Sequence, residues 1–301
     1  MELIGKTDID FTGKRNYAFA FSGVLCLLGI IAIVMIGLGK ANMGVDFAGG
    51  TSVQLKFEGP VVIDQARKTL ESNGIQADLQ QFAEGNKLLI RIKRADIPLG
   101  QVSDKVVEVF TKEYPANKFV VESSTEIGPT VGKSLQTDAL IAVIISMLAI
   151  VIYIAWRFEF KFGVAATIAT FHDVLAVLGV VFILNMEITL LTVTALLTIA
   201  GYSLTDTVVV FDRIRENLRS KAKGALEAII NRSVNEVLSR TIITVLTTFI
   251  AAAAIYFFGG EVLHDFAFAL LVGLIVGTYS SIFVASPVLI LWKTKGGKLI
   301  K

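Results

Sequence analysis

The sequence predicts a polytopic all-α membrane protein: six transmembrane helices, with one extracytoplasmic α+β ferredoxin-like (βαββαβ) domain inserted after the first. Three observations carry this. Apolar residues make up 54% of the 301-residue chain and charged residues 18%, with a mean hydropathy of +0.69. That is too apolar for an ordinary soluble domain. The apolar residues gather in six blocks, at 18–38, 139–156, 163–184, 188–211, 241–258 and 265–291, each near or above the roughly 20 residues that cross a bilayer. One long polar stretch, 39–137, separates the first block from the rest.

The distribution of cations orients the spans. With the N-terminus inside, the inner segments hold Lys14, Arg15, Arg157, Lys161 and a cluster from Arg213 to Arg240, followed by Lys293 and its neighbours. The short outer turns at 185–187 and 259–264 hold no Lys or Arg. Both termini are therefore expected in the cytoplasm. The resulting plan is a cytoplasmic segment 1–17, a first span 18–38, and the outer domain 39–137. Spans two to six follow within 138–292, and a basic cytoplasmic tail occupies 293–301. The first block is read as a retained span: it starts after 17 residues, and no small-x-small cleavage site follows it. The pI of about 8.5 does not point to nucleic acid, because the basic surplus flanks apolar blocks. The one cysteine, Cys26, excludes an intrachain disulfide.

Within 39–137 the hydrophobic period changes from element to element. Val53, Leu55 and Phe57 alternate with polar neighbours, as in a half-buried strand. Val62–Leu70 predicts a helix ended by Asn73-Gly74. Ala77–Phe82 and Lys87–Ile92 predict strands joined by the turn residues Glu84, Gly85 and Asn86. A second helix is expected from Pro98 to Phe110, and a last strand over Phe119–Ser123. The βαββαβ order is that of a split-βαβ domain. Between spans four and five, Leu226, Ile230, Val234 and Val237 recur at helical spacing. They predict an amphipathic connector within 212–240, lying along the membrane or against the bundle.

No enzymatic signature is present, and none of a cofactor or metal site. Neither histidine sits in a metal-ligand spacing, and Gly128, Gly132 and Lys133 do not form a P-loop. Work done by the chain would draw on the transmembrane potential, where one charge moved through 100 mV is worth roughly 2.3 kcal/mol. The ionisable groups inside the spans are thus the candidate sites. Asp206 lies past the middle of span four, about 9 Å toward the cytoplasmic end. A lone carboxylate there tends to be neutral, and an arginine neighbour would restore its charge. It is either a proton relay or a fixed structural pair near the interface. Arg240, at the start of span five, is its candidate partner; the side chain either reaches Asp206 or snorkels to the surface. His172 and Asp173 fall at the centre of span three. Asp173 is an alternative relay, and His172 either titrates or bonds across helices. Asp212, Arg213 and Arg215 lie at the cytoplasmic mouth, as a gate or an anchor. Arg213, seven residues from Asp206, shares its helical face. Gly273, Gly277, Ser280 and Ser281 offer a small-residue packing surface, and Pro287 is expected to bend the end of span six.

Three stretches carry a family resemblance: GVDFAGG at 44–50, TEIGPTVG at 125–132 and GYSLTDTVVVFDRIR at 201–215, the last supported by SVNEVLSRTIITVLTT at 233–248. The chain resembles the SecD/SecF protein-export family of the resistance-nodulation-division superfamily. Its length and the span-four stretch point to the SecF branch. The resemblance implies pairing with a SecD-like subunit that supplies six further spans. It also implies association with the SecYEG channel, often with YajC, and action on a translocating preprotein. It implies a relay through Asp206 and Arg240, with His172 and Asp173 beside the route and protons as the coupling ion. Asp46, Phe47, Gly49 and Gly50 are the family's motif after span one, and Gly201 opens its span-four signature. The glycines after span one read as backbone devices where the chain enters its first strand. The alternatives in other classes are a proton-driven exporter of small molecules or lipids and a passive assembly subunit.

Overall fold

The computed structural model describes residues 7–82, 86–92, 100–220 and 225–291. Contacts divide the chain into two compact units, Met43–Leu140 and the combination of Met1–Asn42 with Ile141–Lys301. The first apolar helix is α1, Arg15–Gly37.

The inserted unit begins with a single helical turn, α2 (Val45–Ala48), and leads into β1 (Gly50–Phe57). It continues through α3 (Ile63–Ser72), β2 (Asp78–Gln81), β3 (Lys87–Ile92), α4 (Val102–Glu113) and β4 (Phe119–Ile127). The four strands form one sheet in the order β2-β3-β1-β4, every pair antiparallel. The period-two pattern selects the covered face: Val53, Leu55, Phe57, Leu88, Ile90 and Ile92 form one core with Ala66, Leu70, Val106 and Phe110 of the two helices. Helix α3 stops where expected, and Gly74 takes the positive φ of +75° that the turn requires. The last strand runs to Ile127, past the expected Ser123. Gln54 pairs with Ser123 but Leu55 with Val121, so Glu122 is an extra, bulged residue that breaks the alternation. The expected turn at 84–85, the helix start at Pro98 and the tail at 293–301 lie outside the described residues.

The other long helices are α5 (Pro129–Arg157), α6 (Phe160–Ile183), α7 (Leu190–Arg219), α8 (Leu226–Phe258) and α9 (Glu261–Ser280). A π-helical turn at Ser281–Ala285 and a short α10 (Ser286–Leu291) complete the last span. Among the described residues, six helices are long and apolar enough to cross a membrane. Helix α5 begins at Pro129, well before the expected 139, because a first-turn proline is preorganised for helix while the polar turns that follow hide the start from a hydropathy reading. The amphipathic connector is not a separate element. Residues 212–219 end α7, and 226–240 run without a break into span five. The predicted apolar positions Leu226, Ile230 and Val234 are buried in the bundle core, with Val237 packed against it, so of the two expected placements the bundle is the one found.

Two further features hold this extension. Asn231 and Asn235 clamp the chain ahead of α1: the Asn231 carboxamide oxygen accepts from Phe11 N–H at 2.9 Å, that of Asn235 from Ile9 N–H at 2.9 Å, and both amides donate to the Ile9 carbonyl at 3.0 Å. Arg15 pairs with Glu227 at 3.1 Å. In the bundle, α6, α7 and α9 form the centre, with about half of their most apolar stretches buried. The corresponding figures are 17% for α1 and α5 and 11% for α8. Helix α7 is started by a capping box in which Thr189 and Thr192 bond each other's backbone N–H.

Candidate functional site

Asp206 is 8% exposed, on the face of α7 that meets α8 and α9. Its Oδ1 accepts from the Thr241 hydroxyl of α8 at 2.9 Å, while Oδ2 is buried without a hydrogen-bond partner. Asp206 and Arg240 line one cavity of about 300 Å³, with Tyr202, Thr205, Thr241 and Thr244. Of the two expected placements of Arg240, the ion pair with Asp206 is not the one found. Arg240 is exposed and, among the described residues, makes no side-chain ion pair or hydrogen bond. It stands at the cavity wall, and Thr241 takes the bonding position. A hydropathy reading passes over Thr241 because a threonine in an apolar helix normally bonds back to its own backbone, as Thr244 does to the carbonyls of Arg240 and Thr241.

The prediction that Arg213 shares the Asp206 face holds. One helical stretch down the same α7–α8 seam, Arg213 donates to Glu236 of α8 at 2.7 Å and to Glu216 of its own helix at 2.6 Å. Asp212 turns the other way, to Arg157 of α5 at 3.2 Å and to Arg215 at 3.5 Å. Both arginines lie over the Phe158 ring, at 4.9 and 5.5 Å from its centroid.

Asp173 and His172 are buried in α6, at 0% and 3% exposure. His172 Nδ1 lies 2.9 Å from Asp173 Oδ1, and the Ser203 and Ser280 hydroxyls both donate to Oδ2, Ser280 at 2.7 Å. The expected small-residue face of span six is real and directed at α7: a Cβ on Gly277 would come within 3.1 Å of Ser203 Cβ, and one on Gly273 would strike Ile199. Just ahead of Pro287, where a bend is expected, the helix carries a π-turn. Proline cannot donate to the carbonyl one turn back and its ring crowds that turn, so the ladder shifts. Ser286 Oγ then fills the Ser281 carbonyl at 2.9 Å.

In the inserted unit the two motif stretches 44–50 and 125–132 meet. Gly49 has φ +72° and ψ 164°, and a Cβ there would come within 3.0 Å of Pro129 Cα. A Cβ on Gly132 would reach the Gly49 N and the Phe47 O at 3.0 Å each. Phe47 is buried, Asp46 sits in the first turn of α2, and Gly50, φ 126°, begins β1. These glycines allow close backbone contact. Gly201 is different: it lies on the exposed side of α7, and a Cβ there would meet nothing within 4 Å.

Comparison with known proteins agrees with this architecture. Residues 106–295 match the family described as protein export membrane protein SecD/SecF, C-terminal, and residues 40–61 match the SecD/SecF GG motif. The chain is 54% identical over 294 residues to a protein translocase subunit SecF from Thermodesulfovibrio yellowstonii, covering 97% of both chains. The chain belongs to the SecF family. A SecF from Calditerrivibrio nitroreducens is 43% identical, over 98% of this chain and 97% of that one. The crystal structure of SecDF from Thermus thermophilus, described as a translocon-associated membrane protein, superposes with a TM-score of 0.83 at 36% identity, over 95% of this chain. This chain spans 39% of that SecDF chain. Family membership and six apolar helices make it a multi-pass membrane protein of protein transport, and the SecDF likeness supports a SecD partner.

Proposed function

We propose that the chain is the SecF-like half of a proton-driven SecD/SecF complex that assists preprotein export through the SecYEG channel, with YajC as an accessory partner. The observation that carries this is Asp206: a carboxyl buried at the α7–α8 seam, one oxygen bonded and the other unfilled, sharing a cavity with an unpaired Arg240. A fixed structural pair would have closed this geometry. A carboxyl that takes and releases a proton needs an open oxygen and a cation that can approach as the charge appears. The chain acts as a transporter subunit without enzymatic chemistry or cofactor, with the proton as its coupling ion.

The cation distribution supports cytoplasmic termini and an outer location for the inserted unit. The strand order β2-β3-β1-β4 with two helices on one face supports reading that unit as a ferredoxin-like domain. Motion of this domain would deliver the coupled work to the preprotein. Asp206→Asn in the reconstituted two-subunit complex is expected to abolish the proton-force-dependent stimulation of secretion while co-purification of the subunits is unchanged. Stimulation at the unsubstituted level would remove Asp206 from the relay and leave the passive assembly role.

A further inference from the structure

The relay proposed above leaves the buried Asp173 carboxyl unused. Asp173 is fully buried, and its partners come from three helices: His172 of α6, Ser203 of α7 and Ser280 of α9. Among the described residues no Lys or Arg pairs with it; His172 is the one basic partner. The other nitrogen of that ring, Nε2, is buried without a hydrogen-bond partner. The ring Nδ1 faces Asp173 Oδ1 across 2.9 Å, close enough for the two side chains to share one proton.

The π-turn connects this pair to the relay. Ser280 closes α9 and Ser281 opens the π-turn, and the two adjacent hydroxyls share the Gly277 carbonyl, at 3.1 and 3.0 Å. Ser280 donates to Asp173. Ser281 lies beside the Asp206 carboxyl and within 3.0 Å of the Thr207 hydroxyl, and its own hydroxyl is turned to the Gly277 carbonyl at 3.0 Å. Rotation of that one hydroxyl would turn a donor toward the Asp206 carboxyl. A widened turn at this place accords with the use of π-bulges at functional sites.

We propose that the Asp173–His172 pair is a second proton-binding site of this chain, exchanging protons with Asp206 through the hydroxyls of Ser281 and Ser280. The exchange balances. Asp206 gives its proton to the Ser281 oxygen, Ser281 gives its hydroxyl proton to the oxygen of Ser280, its neighbour on the Gly277 carbonyl, and Ser280 delivers its own to Asp173 Oδ2. Asp206 ends as carboxylate and Asp173 as acid, with both serines restored. The other titratable groups near the pair are Tyr279, its ring 6.2 Å from that of His172, and Cys26 of α1. The idea rests on the proton-coupled reading of Asp206, and the test separates the two.

Infrared difference spectra of the purified two-subunit complex, taken across a pH titration, report buried protonated carboxyls directly. Asp173→Asn is expected to remove a carboxylic-acid band that Asp206→Asn leaves in place, and Asp206→Asn to displace that band in titration. Ser281→Ala, which preserves the packing at the turn, is expected to abolish the displacement. An unchanged set of bands in Asp173→Asn overturns the second site, and persistence of the displacement in Ser281→Ala overturns the serine route. Secretion assays on the same variants test the Asp206 relay independently of either spectroscopic result.

Discussion

At the scale of single residues, Asp206 and its bond to Thr241 decide how the site is read. Asp206 stands out in the sequence because a carboxylate in an apolar helix is conspicuous. Thr241 does not, because its role depends on which neighbour its hydroxyl faces, and only the packing of α8 on α7 determines that. An interhelical hydrogen bond in a membrane is worth about 0.6 kcal/mol on average and up to about 1.7. Thr241→Val should therefore fold and assemble. It removes the one donor to Asp206 Oδ1 and leaves a buried carboxyl with no partner on either oxygen. The expected outcome is a clear loss of proton-force-dependent stimulation with thermal stability little changed, and recovery in Thr241→Ser. Equal loss of stability and stimulation in the two variants would make the bond merely structural. Arg240 shows the complementary limit: its position was legible, but an unpaired state depends on a side-chain choice that no spacing encodes.

At the scale of elements, the number and order of the six spans were legible because each apolar block is near or above the length that crosses a bilayer. Element ends were harder to place. Helix α5 begins in polar sequence at Pro129, α8 absorbs what looked like a separate connector, and β4 outruns its apolar run through a bulge at Glu122. The packing role of Gly273 and Gly277 in α9 was legible, but the glycine contact between α1 and α6 was not, since a small residue shows its use only beside its partner helix. Gly29 of α1 and Gly179 of α6 meet so closely that a Cβ on Gly179 would lie 2.8 Å from Gly29 N. Gly179→Leu is expected to destabilise the full chain by about 1–3 kcal/mol or more through overpacking, read as a lower unfolding temperature of the purified complex. In the inserted unit, Gly49→Ala forces a side chain into a backbone region nearly exclusive to glycine, at about 1–3 kcal/mol. Faster amide exchange in β1 and β4 of the intact protein would register it, and unchanged exchange would mean that the α2–β1 junction relaxes freely.

At the scale of the whole molecule, the exposed side of the α7–α8 pair indicates what is missing from this chain. Thr194, Thr198, Gly201 and Thr205 follow one another on the exposed side of α7. Thr244 and Thr247 are exposed on α8 near the unpaired Arg240. The hydroxyls bond back to their own helices, so this small-residue face carries no unmet donors of its own and allows a helix to approach closely. A cation and a half-satisfied carboxyl beside it are poorly suited to lipid. Over residues 140–152 the exposed face of α5, with Leu140, Ile144, Ile145, Leu148 and Ile152, is apolar and suits hydrocarbon. The face with the ionisable groups is therefore where the SecD-like subunit is expected to dock, which also gives Gly201 a role that its empty surroundings within this chain do not. Replacing Cys26, the chain's one cysteine, with serine provides a background for placing a single cysteine at Thr198 or Thr244. Both are expected to cross-link to the SecD-like partner in native membranes, whereas a cysteine at Ile145 reacts with a lipid-phase label. Cross-linking from Ile145 with none from Thr198 or Thr244 would move the interface to α5 and leave the Asp206 cavity facing lipid, a setting in which a proton relay has no access to water and the proposed coupling fails.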